Sequence, residues 1–245
     1  MTAPIFLIER DRLLSGERIL LDGPEGRHAA AVRRIGAGER VDLTDGAGLL
    51  AQCRVAVAEQ NGLRLDVLDL YEEPAPQPRL VVVQALPKGD RGELAVEAMT
   101  EVGVDAIVPW AAARCVTRWR AERGGKSLAK WRTTAREAAK QARRAWVPEV
   151  ADLAATAAAA ELLAGAALPV VLHEQAELPL SGVTVPSAGD VVLVVGPEGG
   201  ISADELQTFE SAGAAAYRLG PTVLRTSTAG VAAAAVLLVR AGRWS

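Results

Sequence analysis

The seven residues Glu72–Pro78, EEPAPQP, divide the chain more sharply than any other stretch of it. Three prolines in so short a run fix φ, remove backbone donors and push the residues before them into extended conformations. Neither a helix nor an inner strand can continue through them. The hydrophobic period also changes there. Before the prolines, short runs alternate apolar with polar residues: Ile5–Ile8, Arg18–Leu21, Arg40–Leu43, Leu49–Val57 and Leu63–Leu70. Asp45-Gly46-Ala47-Gly48 and Asn61-Gly62 are hairpin signals between such runs. One helix is expected within Glu25–Glu39, ending near Gly36. Residues 1–73 therefore read as a small β-barrel, 74–78 as a stiff linker and 79–245 as a second domain.

After the prolines, strands and helices alternate. Strands are expected at Leu80–Leu86, Ala106–Pro109, Val170–His173, Val191–Val195 and Ala215–Leu219. Helices are expected at Asp90–Val102, Ser127–Ala145, Ser202–Ala212 and Thr228–Ala241, with a plain Ala-rich surface helix in Ala151–Ala167. Valine-rich strands without polar alternation are covered on both faces, so the second domain is α/β with a mostly parallel sheet. Half of the residues are hydrophobic but only 4% are aromatic, so its core is built from aliphatic side chains.

Much chemistry is excluded. Two cysteines, Cys53 and Cys115, and two histidines, His28 and His173, form no metal-ligand spacing, and no metal is expected. The nucleophile-elbow, Walker and dinucleotide fingerprints are absent from the sequence. Isolated cysteines and a charged N-terminal stretch point to a reducing, cytoplasmic setting without a signal peptide. The late apolar run Thr226–Val239 has 14 residues, whereas a membrane span needs about 20, so no membrane partner is expected.

Charge is segregated along the chain. The net charge is −3, yet Arg114–Arg144 holds eleven Lys and Arg against Glu122 and Glu137. On the long helix, Leu128, Trp131, Ala135, Ala138, Ala142 and Trp146 recur at helical spacing as an apolar face. Arg132, Arg136, Lys140, Arg143 and Arg144 fall on another face. A positive stripe on an otherwise acidic protein points to a polyanion partner.

In a parallel sheet, ligands bind beyond the carboxyl ends of the strands. Three segments qualify: Leu172-His173-Glu174, Gly196–Gly200 and Leu219–Ala229. In VVGPEGGIS (Val194–Ser202), the glycines permit close backbone approach and Pro197 stiffens the turn. Ser202 and Glu205 have capping-box spacing. Taken alone, the stretch is either a ligand loop or a tight turn that starts a helix. Arg225, in the otherwise uncharged LGPTVLRTSTAG (Leu219–Gly230), is either a surface ion-pair residue or a cation facing a ligand.

Together these segments resemble a known family. VVGPEGGIS and LGPTVLRTSTA, with LPKGDRGELAVEAMTEVGVDAIVPWAAARCV and KWRTTAREAAKQARRAWVPEV upstream, are similar to the ribosomal small-subunit (16S) RNA uridine-N3 methyltransferases of the SPOUT class. The N-terminal RHAAAVRRIGAGERVDLTDGAG resembles their PUA-like RNA-binding barrel. The resemblance implies an α/β fold with a SPOUT-type parallel sheet tied by a deep trefoil knot, an exception to the usual absence of knots. It implies S-adenosylmethionine as cofactor, held by Leu172, His173, Glu174, Gly196, Pro197, Glu198, Gly199, Gly200, Ile201, Leu219, Gly220, Leu224, Arg225 and Thr226. It further implies a homodimer acting on 16S ribosomal RNA in the small subunit. Arg27, Arg33, Arg34, Arg114, Arg132, Arg136, Lys140, Gln141, Arg143 and Arg144 are the expected RNA-binding residues. Arg225 is the expected catalytic cation and Glu198 the candidate base. Ser227 and Ala98 stand where the family often carries Glu and Lys. Two other readings share these features. One is a knotted methyltransferase acting on a ribose 2′-hydroxyl or another RNA. The other is a ribosome-assembly factor with a vestigial pocket.

Overall fold

The computed structural model describes residues 3–244. Its contacts divide the chain into two units: one up to Ala75 joined by Ala139–Val147, the other Pro76–Ala138 with the chain from Pro148 onward.

The N-terminal unit contains β1 (Ile5–Leu7), α1 (Arg10–Leu13), β2 (Arg18–Leu21), α2 (Gly23–Arg27), β3 (Arg40–Thr44), β4 (Leu49–Glu59) and β5 (Gly62–Glu72). The strands form one five-stranded sheet in the order β1-β3-β4-β5-β2, antiparallel except where β1 joins β3. Register shifts between Gln52 and Cys53 and between Val55 and Val57 mark bulges, which bend a sheet and increase its twist. Phe6, Leu13, Leu43, Ala51, Leu63 and Leu65 fill its concave side. The expected helix is shorter than the sequence suggests, because α2 passes into one π-helical turn, His28–Val32, and stops there.

The C-terminal unit contains β6 (Arg79–Ala85), α3 (Arg91–Val102), β7 (Ala106–Trp110), α4 (Ala121–Gln141), β8 (Glu149–Val150) and α5 (Thr156–Ala164). After these come β9 (Leu168–Leu172), β10 (Leu178–Pro179), β11 (Asp190–Val195), α6 (Ala203–Ser211), β12 (Ala215–Arg218) and α7 (Thr226–Arg240). Among the described residues the sheet has seven strands, all parallel, in the order β10-β12-β9-β11-β6-β7-β8. β6 and β11 lie at its centre, and Val81, Val82, Val83 and Val191–Val195 are buried, as expected for strands covered on both faces. From β11 the chain runs through α6 to β12, on the far side of β9, and then returns so that α7 packs on α3 and reaches β6 and β11. Such an excursion and return is what the expected trefoil threading requires. α7 is fixed at both ends. Gln84 Nε2 donates to the Thr226 carbonyl at 3.3 Å. Beyond the far end, Arg243 donates to both carboxylate oxygens of Asp105 and to the carbonyls of Pro78 and Gly103.

Three expectations need correction. The long helix was expected over Ser127–Ala145, but α4 starts at Ala121 and ends at Gln141. A Schellman pair ends it: the Arg144 N–H donates to the Ala139 carbonyl and the Arg143 N–H to the Lys140 carbonyl, with Arg143 left-handed at φ 56°. Ala142, Arg143, Arg144 and Trp146 therefore leave the helical stripes to which the sequence assigned them. The Ala151–Ala167 surface helix is only Thr156–Ala164, and its Ala159 and Leu163 are fully buried. Lastly, Lys140 is not on an open basic face. Its side chain is 10% exposed and pairs with Glu25 at 3.0 Å.

Close helix contact depends on Gly92 in α3. A Cβ there would stand 2.7 Å from Cζ2 and Nε1 of Trp131 on α4. Gly92→Val is expected to destabilise the fold by about 1–3 kcal/mol, the usual cost of overpacking a filled contact. Urea unfolding should show a lower midpoint with an unchanged slope.

Candidate active site

All strands of the C-terminal sheet point the same way, so their carboxyl ends share one edge. Leu172 of β9 is level with Tyr217 of β12, and Val171 with Val194 of β11. This register sets the three expected loops side by side at one height: Leu172–Glu174, Gly196–Ile201, and the segment from Leu219 into α7.

The middle loop is a tight turn closed by the Gly200 N–H donating to the Pro197 carbonyl at 2.9 Å, with Gly200 at φ 73°. Its glycines are spent on close packing. A Cβ at Gly196 would meet Ile201 Cγ1 at 2.7 Å, and one at Gly199 would meet Cβ of Arg114 at 3.0 Å and its carbonyl oxygen at 3.1 Å. Glu198 is exposed, and its Oε1 accepts from the Lys88 N–H at 3.2 Å. The candidate base thus ties the β11 loop to the loop after β6.

Behind the turn, Ser202 and Glu205 make the full capping box. Glu205 does more than cap. Its Oε2 accepts from Ser202 N–H and Oγ, while its Oε1 accepts from the Ala113 N–H at 2.7 Å and Thr156 Oγ1 at 3.3 Å. Burial opposes its charge, but the hydrogen bonds from Ala113, Ser202 and Thr156 outweigh that and hold its pKa below the usual carboxylate range.

The third loop is open to solvent through Gly220, Val223 and Leu224, and nothing lies within 4 Å of where a Gly220 Cβ would stand. Arg225 is exposed at the N-cap of α7, and among the described residues its guanidinium has no ion-pair or hydrogen-bond partner. Of the two readings left open by the sequence, the surface ion pair is therefore absent. Thr226 and Ser227 follow it, both buried. The backbone of His173 donates to the Tyr217 carbonyl at 2.9 Å, and its Nδ1 accepts from the Gln175 N–H, so the β9 loop is braced to β12. Along these loops Gly220 and Leu224 are exposed, Leu172 and Leu219 half-buried, and Ile201 buried.

Gln84 was not legible as a site residue. It lies in an apolar strand, is fully buried, and its Oε1 has no hydrogen-bond partner among the described residues. The hydrogen bond from its side-chain amide to the Thr226 carbonyl fixes the turn on which Arg225 stands. The only sequence signal was a polar residue at the end of the run RLVVVQA.

The expected RNA-binding residues separate into two groups. Arg27, Arg33 and Arg34 are exposed near the end of α2, and among the described residues none carries an ion pair. On α4 the charge is largely matched: Lys126 pairs with Glu122, Lys130 with Glu93, and Arg132 with Asp152 and the Val150 carbonyl. Arg136 and Gln141 are exposed on the same helix, and Arg143 is exposed just beyond it. Arg144 is half-buried. Arg114 lies apart from them, donating to the Gly199 carbonyl at 3.2 Å.

Residues 73–238 match the RNA methyltransferase domain family, and residues 21–68 match the RNA methyltransferase PUA domain family. The chain belongs to the RNA methyltransferase family. Among family members, a ribosomal RNA small subunit methyltransferase E of Mycobacterium bovis is 48% identical over 94% of this chain and 89% of its own length. A protein of the same description from Bacillus subtilis is 28% identical over 85% of each chain. In three dimensions, a ribosomal RNA small subunit methyltransferase E from Neisseria gonorrhoeae, solved bound to S-adenosyl methionine, aligns with a TM-score of 0.82. It is 27% identical, and 97% of this chain and 98% of that one are covered. The fold expected from the sequence, a SPOUT-type α/β domain with a PUA-like domain before it, is therefore the family's fold. Among the described residues no cluster of His, Cys, Asp or Glu could hold a metal, and no helix is long and apolar enough to cross a membrane.

Proposed function

We infer that this RNA methyltransferase transfers a methyl group from S-adenosylmethionine to N3 of a uridine in 16S ribosomal RNA of the small subunit. The single observation that carries this reading is Arg225 at the N-cap of α7, exposed and without an ion-pair partner among the described residues, in the loop that follows β12 at the edge where the parallel strands end. The relatives' description as small-subunit ribosomal RNA methyltransferases and a neighbour's S-adenosyl methionine support it. A homodimer working in the cytoplasm rests on the family resemblance and belongs to the same proposal.

The loops Leu172–Glu174, Gly196–Ile201 and Leu219–Thr226 would hold the cofactor, mostly through backbone groups. The cofactor supplies a methyl on a positive sulfonium, which is already electrophilic. The protein's task lies with the nucleophile. Uracil N3 carries a weakly acidic proton on the pairing edge, so the base must be unpaired and aligned. As N3 loses its proton, negative charge spreads to the flanking carbonyl oxygens, and the Arg225 guanidinium stabilises it there. Glu198, engaged by the Lys88 N–H, braces the loop, and the proton passes to solvent. Cys115 takes no covalent part, because burial pushes its thiol pKa up.

The test is incubation of the protein with labelled S-adenosylmethionine and small subunits lacking the modification, followed by nucleoside mass spectrometry. N3-methyluridine is expected. A ribose-methylated nucleoside would replace the base reading with the 2′-hydroxyl one. No product despite cofactor binding would sink the catalytic reading altogether.

A further inference from the structure

A cavity lies beyond β7, at the same edge of the sheet but on the other side of the glycine loop from β9 and β12. Its wall is the segment Ala111–Arg120, with Ala112, Cys115, Thr117, Arg118, Trp119 and Arg120 around a volume of about 160 Å³. That is below the ~300–1,000 Å³ of pockets for drug-sized ligands, and suits one planar ring, with the sugar and phosphate at the mouth. The segment is built onto the proposed site at three points. Arg114 donates to the Gly199 carbonyl, Thr117 Oγ1 donates to the Pro87 carbonyl at 2.7 Å, and the Ala113 N–H is held by Glu205.

The contents of the cavity are those of a nucleotide site. The Trp119 indole is half-exposed and fixed edge-on against Trp131, with ring centroids 5.0 Å apart at 81°. Such a braced ring keeps a face for stacking without further ordering cost. Among the described residues, Arg118, Arg120 and Arg123 have no carboxylate partner, in contrast to the matched cations farther along α4. Cys115 and Ala112 give an apolar floor, and its thiol is neutral for the reason given above. Arg118 donates to the Ala113 carbonyl at 3.5 Å but, like Arg120, has no carboxylate partner among the described residues, and such guanidinium groups beside an aromatic face match a base that has left its stack, with its phosphate.

We propose that this cavity receives the extruded uridine nucleotide of the RNA, with Trp119 stacking on the base and Arg118 and Arg120 holding its phosphate. The proposal rests on the function inferred above and deepens it by naming where the substrate enters. Trp119 is then a binding residue on the substrate side, separate from the cofactor loops.

Trp119→Ala should lower kcat/KM for small subunits by roughly 10–100-fold, the worth of one base–aromatic stack, and leave S-adenosylmethionine affinity within about twofold of wild type. Trp119→Phe, which keeps a face against Trp131, should recover most of the loss, which separates stacking from mere support of Trp131. Replacing Arg118 and Arg120 together by Ala should raise KM and flatten the salt dependence of RNA binding by about 0.7–0.9 units of slope in log–log form, the share of one phosphate. Calorimetry with a short oligouridylate provides a readout without turnover: the wild type should bind it and Trp119→Ala should not. Wild-type kcat/KM in Trp119→Ala would overturn the pocket while leaving the proposed function standing. Oligouridylate binding through Trp119, with no methylation of subunits by the wild type, would uphold the pocket and reject that function. Parallel loss of cofactor and RNA affinity in both Trp119 variants would show a structural role and also overturn the proposal.

Discussion

Arg225→Ala is expected to slow methyl transfer by about 10²–10³-fold, the typical cost of removing one donor aimed at developing oxyanion charge. S-adenosylmethionine binding, measured by calorimetry, should change little, because the proposed cofactor loops would hold it mostly through backbone groups. The expectation follows from what Arg225 lacks. It is exposed, it has no partner among the described residues, and its backbone is fixed by two helical bonds from Thr228 and Ala229 to its carbonyl. A free guanidinium on a rigid mount makes no contribution to folding, so its loss should leave the unfolding midpoint unchanged. Arg225→Lys should recover only part of the rate, since an ammonium keeps the charge but not the planar fork. Full turnover in Arg225→Ala with cofactor bound would remove the electrostatic account of catalysis.

The positions that carry this account differ in how plainly the sequence shows them. The sheet was legible because Leu80–Leu86 and Val191–Val195 are Val-rich apolar runs of strand length between turn residues, and that length and composition favour a strand covered on both faces. The glycine loop and the Ser202–Glu205 cap were legible because both are local: the signal and its partner lie within a few residues. The end of α4 was not. Nothing between Ala135 and Arg144 breaks a helix, and the chain stops there by placing Arg143, a residue with a Cβ, in the left-handed region. Lys140 looked like one more stripe residue because its partner, Glu25, is 115 positions away. The Ala111–Arg120 wall showed no period at all, and its arginines were counted only as part of the charged run Arg114–Arg144. Pairing across distance decides which cations are spent and which remain free. Composition alone weighted Arg132 and Arg118 equally, and the structure separates them.

The same long-range pairing makes Glu205 a position where a single change should cost much stability. Glu205→Ala is expected to lose about 3 kcal/mol or more, in the range for breaking a buried hydrogen-bonded network. Four donors converge on its carboxylate, and the Ala113 N–H, 92 residues away in sequence, would be left without an acceptor. The loss should extend to function. Ala113 and Arg114 flank the glycine loop, so releasing them loosens both the Gly196–Gly200 turn and the wall of the Trp119 cavity. Glu205→Gln keeps one acceptor oxygen but turns a donor toward Ser202 or Ala113, so it should recover only part of the loss. The sign of the pH dependence distinguishes this account from simple cavity formation. The folded pKa of Glu205 is lowered, so the unfolded chain binds the proton more readily. Its contribution is therefore complete above the ordinary Glu value of about 4.3 and is lost as pH falls through the lowered folded value. Urea unfolding of wild type against Glu205→Gln should show the largest gap near pH 7, closing as the solution is acidified through that window. A gap independent of pH would mean that the carboxylate's charge is not what holds the two loops together.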